Sequence, residues 1–285
     1  WFEYFFYAIN FSILPFLMFS LVDFNKLKRT ILKSFIFSGF LMGLISLYLY
    51  KDLLASGVGR ISMSKYTDFN DQTLSPLALS YAGALTLMLC VFEIIYNKTK
   101  TRSYKVYLYL TITLSLIMFF LGASRGSFVA IIFSLPLFIL YGSVKNKLKF
   151  FMAFLFSVPI LIWGAMKTGS SIFARTAETV ETGDKGRNSL WGQALTEFSD
   201  FPIFGGRVEF GIEVLMATGV LGELLIIPII FRSFKRANRL VELDKNYIWV
   251  YIIFIQGFVQ HSFTGALYFS VLLFLPLGII YSQKS

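Results

Sequence analysis

Polar residues in this chain are gathered into clusters, and between the clusters run apolar stretches of the length a lipid bilayer demands. A hydrocarbon core about 30 Å thick takes roughly 20 residues of helix. About nine such stretches follow one another, at residues 1–22, 32–50, 76–96, 106–123, 127–143, 150–166, 211–231, 247–260 and 266–282. The pattern predicts an all-α polytopic membrane protein. Composition supports that class, because 56% hydrophobic and 18% aromatic residues exceed what a soluble core of this length needs.

The distribution of positive charge orients the helices. Lys and Arg are retained on the cytoplasmic side, whereas Asp and Glu have little influence. Most of the 26 basic residues fall in one set of alternate loops, around residues 26–33, 98–105, 145–149 and 232–245. That set is expected to be cytoplasmic. The opposite set carries Lys51, Arg60, Lys65, Arg125, Lys167, Arg175, Lys185, Arg187 and Arg207 together with most of the acids. The formal charge of +10 therefore follows from topology, and no nucleic-acid partner is expected. An odd number of spans with a cytoplasmic C-terminus leaves residue 1 outside, which points to helices before it; no cleavable signal is legible. Cys90 stands alone within a span, so no disulfide is expected.

No repeat, linker or low-complexity tract divides the chain, which reads as one membrane domain over residues 1–285. Its largest hydrophilic feature is an outward loop at about 168–210. There Gly183, Asp184 and Gly186 read as a turn, and residues 188–197 as a short amphipathic helix on the membrane surface, with Trp191 at headgroup level and Pro202 as its stop.

The chemistry is narrowed by what the sequence omits. It has no Walker lysine, no Cys or His cluster at metal-ligand spacing, no Gly-x-Ser-x-Gly elbow and no Asp-x-Asp pair, so neither a metal nor another cofactor is expected. Outward arginines, one histidine and nearby carboxylates remain, and fixed cations facing one compartment fit an anionic substrate. Arg125, in Ser124-Arg125-Gly126, sits in a tight re-entry between two apolar runs. It reads either as an interfacial arginine that snorkels to headgroups or as a guanidinium that grips a pair of phosphate oxygens. Arg187 reads as a solvated loop residue or as a second anion contact, its stem packed by Trp191 four positions on.

His261, the lone histidine, lies at the outer end of the eighth run. It is either a hydrogen-bonded packing residue or a general base. Glu213, at the outer end of the seventh, is a candidate base or an orienter of an arginine. Arg60 and Arg207 are further outward cations and, with Trp191, candidate substrate contacts. Glu223, roughly mid-span, is expected to pair with a buried donor.

The order of LGASRGSFVAII, RNSLWGQAL, FPIFGG and EVLMATGVLGELL resembles the O-antigen polymerase and O-antigen ligase superfamily, over roughly residues 57–231. The resemblance implies a type C glycosyltransferase-like (GT-C-like) fold in the bacterial inner membrane. Its active site would face the periplasm, need no metal, and take a glycan on undecaprenyl pyrophosphate as donor. It places Arg125 and Arg187 at the donor pyrophosphate. The family's histidine, in a His-Asn pair before the helix that opens EVLMATG, has no counterpart here: Phe210-Gly211-Ile212-Glu213 occupies the place. Either His261 or Glu213 replaces it, or residues are missing near 209–212.

Within the superfamily the composition resembles polymerases, which join lipid-linked repeat units and can work with a chain-length regulator. A ligase, which transfers the finished glycan to lipid A-core, is the alternative. A transporter or flippase of an anionic lipid-linked substrate is a second alternative, and a non-catalytic scaffold a third. The one-sided polar loop favours surface chemistry over alternating access.

Overall fold

A computed structural model describes residues 2–52, 75–96, 101–122, 124–141, 213–264 and 270–283. Every element among them is helical. In chain order they are α1 (Phe2–Ala8), a π-helical turn (Ile9–Ile13), α2 (Leu14–Leu21), α3 (Phe24–Leu49), α4 (Pro76–Tyr96), α5 (Arg102–Gly122), α6 (Arg125–Tyr141), α7 (Glu213–Leu243), a 3-10 turn (Lys245–Tyr247), α8 (Ile248–Thr264) and α9 (Val271–Ser282). Among the described residues, α3, α4 and α5 are long and apolar enough to cross a membrane, and Phe5–Leu21, α6 and α9 are shorter apolar helices. The predicted span at 150–166 and the loop at 168–210 lie outside the described residues.

Local chemistry accounts for several boundaries. Pro76 opens α4, where its missing N–H costs nothing, and the first helical bond runs from the Leu79 N–H to the Ser75 carbonyl at 2.9 Å. The π turn precedes Pro15, whose lack of a donor disturbs the ordinary ladder; the Leu14 N–H bonds to the Ile9 carbonyl instead. The predicted run 211–231 proves to be the first part of a longer helix, because α7 continues to Leu243. In that extension Ser233, Ala237, Leu240 and Val241 are buried at helical spacing, while Arg232, Lys235 and Arg239 are exposed. Asp244 then leaves the helix in an extended conformation and accepts the Asn246 N–H at 2.9 Å, capping the 3-10 turn that leads into α8.

The described residues fall into two compact units, those of Trp1–Asn25 with Glu178–Ser285 and those of Lys26–Ala177. In the second unit α4 and α5 pack by close backbone approach. A Cβ at Gly83 would lie 2.6 Å from the Ser115 carbonyl oxygen and 2.8 Å from the Phe119 nitrogen, and one at Gly122 would strike the Pro76 carbonyl. On α3, Gly39 leaves room for the Thr86 side chain of α4. Small residues at such crossings let helices gain dispersion contact where the surrounding lipid supplies no hydrophobic drive. Thr111, Ser115 and Ser134 are buried and return their hydroxyls to their own helices, at 2.8, 2.7 and 2.7 Å from the carbonyls of Tyr107, Thr111 and Ala130. Outward faces carry Phe37, Ile45, Val106, Tyr109, Phe133 and Leu140, all largely exposed, as lipid contact requires.

In the first unit α9 packs against α2 and α8. Gly278 brings α9 onto the Phe16 carbonyl, and Gly257 brings α8 onto the Leu272 carbonyl. Phe24 stacks near Tyr247 and Trp249, with ring centroids 5.3 and 5.5 Å away. The Tyr247 hydroxyl reaches Gln283 Oε1 at 3.0 Å and Asn25 Oδ1 at 3.2 Å.

Candidate functional site

Arg125 is the first residue of α6 and is half-buried between the buried neighbours Ser124 and Gly126. A cation there lies at the positive end of the helix dipole, so the dipole disfavours it and the two together attract an anion. The turn that carries it is held from both sides. The Ser124 N–H donates to Ser80 Oγ of α4 at 3.3 Å. The Ser124 carbonyl accepts the Phe128 N–H at 3.4 Å and the Ser127 hydroxyl at 2.8 Å. Ser80 Oγ also lies 2.6 Å from Ser127 Oγ and 3.1 Å from the Phe119 carbonyl at the end of α5. Ser80 and Ser127 are fully buried.

These contacts exceed the protons available. Each hydroxyl donates once, so Ser80 and Ser127 supply two protons to three short contacts, and the pair must share them between the Phe119 and Ser124 carbonyls. Both hydroxyls stay engaged whichever way the protons settle, which removes the cost of burying them.

The other predicted site residues are placed as follows. Glu213 is the first residue of α7, and its side chain lies outside the described atoms. His261 stands in the last turn of α8, half-buried, and its Nδ1 is buried without a hydrogen-bond partner among the described residues. Arg60, Arg187, Trp191 and Arg207 lie outside the described residues, and so does the side chain of Glu223. Arg125 belongs to one compact unit, Glu213 and His261 to the other.

Two features went unread in the sequence. Ser80 is one, since a serine inside an apolar run gives no sign of reaching another helix. Glu93 is the other: it is buried, and the Tyr104 hydroxyl donates to its Oε1 at 3.4 Å. The Lys33 ammonium lies 5.6 Å from the Tyr104 ring centroid. Glu93 is not placed to serve Arg125, because it lies thirteen positions along α4 from Ser80, about 20 Å of helix.

Residues 110–214 match the family model described as O-antigen ligase. The match spans α6 with Arg125 and runs to the first turn of α7. The match supports the O-antigen polymerase and ligase superfamily to which the sequence motifs point. The superfamily segment takes in Arg125, Arg187, Trp191, Arg207 and Glu213, whereas Arg60 and His261 fall outside it. No curated protein and no solved structure matches the chain. Together with the apolar helices, the match over these residues supports a membrane enzyme of the O-antigen ligase and polymerase type.

Proposed function

We propose that the protein is an O-antigen polymerase, a metal-independent, inverting glycosyltransferase that joins undecaprenyl-pyrophosphate-linked repeat units at the periplasmic face. The observation that carries the reading is the superfamily match across Ser124-Arg125-Gly126, with Arg125 half-buried at the first position of α6. The acceptor sugar hydroxyl attacks the anomeric carbon of the donor. The bond from that carbon to the pyrophosphate breaks, its electron pair stays on the leaving oxygen, and the hydroxyl proton passes to a base. Negative charge grows on the pyrophosphate, where fixed guanidinium groups of Arg125 and Arg187 stabilise it more than they stabilise the ground state. His261 and Glu213 are the candidate bases. Arg60, Trp191 and Arg207 are the candidate substrate contacts. The domain is one GT-C-like membrane domain of about nine spans with its long periplasmic loop at 168–210.

A second reading, O-antigen ligase, is favoured by the description of the matched family. One assay separates the two. Purified full-length protein is given the undecaprenyl-pyrophosphate-linked repeat unit alone, without metal or nucleotide, and products are resolved by size. A ladder is the expected result. Transfer that begins only when lipid A-core is added makes the protein a ligase, and inactivity under both conditions returns the transporter reading.

A further inference from the structure

Arg125 has to present its guanidinium to a pyrophosphate, and a side chain with four rotatable bonds does this well only if its backbone is fixed. Ser124, the residue before it, is held at both its backbone N–H and its carbonyl. The Ser124 N–H is held by Ser80, and the Ser124 carbonyl, part of the peptide that ends in the Arg125 nitrogen, is held by Phe128 and Ser127. Ser80 is joined to Ser127 and reaches the Phe119 carbonyl, so α4, the end of α5 and the start of α6 meet at one buried hydroxyl. Thr111, Ser115 and Ser134 serve only as a contrast, since each turns its hydroxyl back onto its own helix. Ser80 crosses to another helix and holds a backbone N–H next to the arginine. Gly83 and Gly122 already bring α4 against α5, and Ser80 reaches beyond that crossing to the start of α6.

We propose that Ser80 is a positioning residue for Arg125, acting through Ser124 and Ser127 to fix the direction in which the guanidinium meets a pyrophosphate. The inference rests on the reading of Arg125 as a pyrophosphate contact. Without Ser80 the Ser124 N–H is left buried with no partner, the turn relaxes to find one, and the arginine loses its aim while keeping its charge. Ser80 touches no substrate and takes no part in bond making.

The test uses the full-length protein in detergent and farnesyl pyrophosphate as the probe, with Kd read by isothermal titration and folding by size exclusion and thermal unfolding. Arg125→Ala is expected to raise Kd at least tenfold, and Ser80→Ala about fivefold. The Ser80→Ala, Arg125→Ala double variant is expected to bind no more weakly than Arg125→Ala alone, because a positioning residue has nothing left to position. Ser134→Ala, which deletes an equally buried hydroxyl from α6, should leave Kd unchanged.

Additive losses in the double variant would show a general loosening of the fold and overturn the inference, as would an unchanged Kd in Ser80→Ala where Arg125→Ala weakens binding. Should Ser80→Ala not fold, Ser127→Ala supplies the same cycle, since it strips the second grip on the Ser124 carbonyl. An Arg125→Ala protein that binds as tightly as the native one, or a native protein that does not bind the probe, removes the pyrophosphate reading itself and the role of Ser80 with it.

Discussion

Ser80 accepts the backbone N–H of Ser124 at 3.3 Å, so a hydroxyl from the first turns of α4 holds the residue immediately before Arg125. An arginine that sequence alone leaves between two readings, a snorkelling interfacial cation or a directed anion contact, therefore stands on a braced turn. Bracing is what the second reading needs. A snorkelling side chain reaches headgroups from a loose backbone as well as from a fixed one.

The first prediction concerns Arg125 and its expected companion. Arg125→Ala and Arg187→Ala should each lower turnover at least tenfold with folded protein retained, since each removes a charge-assisted contact worth about 1.5–3 kcal/mol. Arg125→Lys should fall between, because it keeps the charge and loses the planar fork. Turnover of lipid-linked repeat units by purified protein measures this, and near-native rates in both alanine variants would sink the assignment.

Gly122 supports the same turn by its lack of a side chain. A Cβ there would strike the Pro76 carbonyl and stand 2.6 Å from Ser80 Cβ and 2.7 Å from the Ser80 nitrogen. Backbone atoms cannot swing aside as a flexible side chain can, so Gly122→Ala must part α5 from α4. A loss of about 1–3 kcal/mol is expected, read as a lower unfolding temperature in detergent, with activity falling further than stability because Ser80 moves too. An alanine variant as stable as the native protein would mean that the two helices are not held this closely.

How much of this was legible differs from element to element. Residues 76–96 were read correctly to both ends, because Pro76 and the polar run after Tyr96 punctuate an unbroken apolar stretch. The helix predicted at 32–50 begins instead at Phe24, since Lys26, Lys28 and Arg29 suit a helix although they do not suit hydrocarbon. Hydropathy reports the membrane, and helices outlast it. The same reason carries α7 past residue 231 to Leu243. Arg125 was legible as a charge caught between two apolar runs, but its support was not. Ser80 lies 45 positions from Arg125 in a stretch where any serine reads as a hydroxyl turned back on its own helix.

Tyr104 and Glu93 give a prediction independent of the proposed chemistry. Glu93 is buried in α4, and the Tyr104 hydroxyl donates to it at 3.4 Å. A carboxyl group in such a place is costly without a partner. Tyr104→Phe keeps the ring beneath Lys33 and removes only the donor, so stability should drop by about 1–2 kcal/mol while turnover per folded molecule stays native. Thermal unfolding and a specific-activity assay on the same preparation check both halves. A variant with native stability and lost turnover would instead place this pair in the reaction.

Arg236 makes the last prediction. It is half-buried on the amphipathic end of α7, and its Nη2 donates to the Gln283 carbonyl at 2.6 Å. Its guanidinium lies 5.2 Å from the centroid of the Tyr281 ring. The same Nη2 lies 3.5 Å from the Tyr281 carbonyl, so the cation sits at the end of α9, where the helix leaves acceptors unmatched and its dipole is negative. Lysine carries the charge but not the flat face that rests on Tyr281. Arg236→Ala should therefore cost about 1–3 kcal/mol and expose the chain near Gln283 to added protease, and Arg236→Lys should recover less than half of that loss. Full recovery by lysine would show that charge alone holds the end of α9, and an unchanged cleavage pattern in the alanine variant would show that the clasp is not what fixes it.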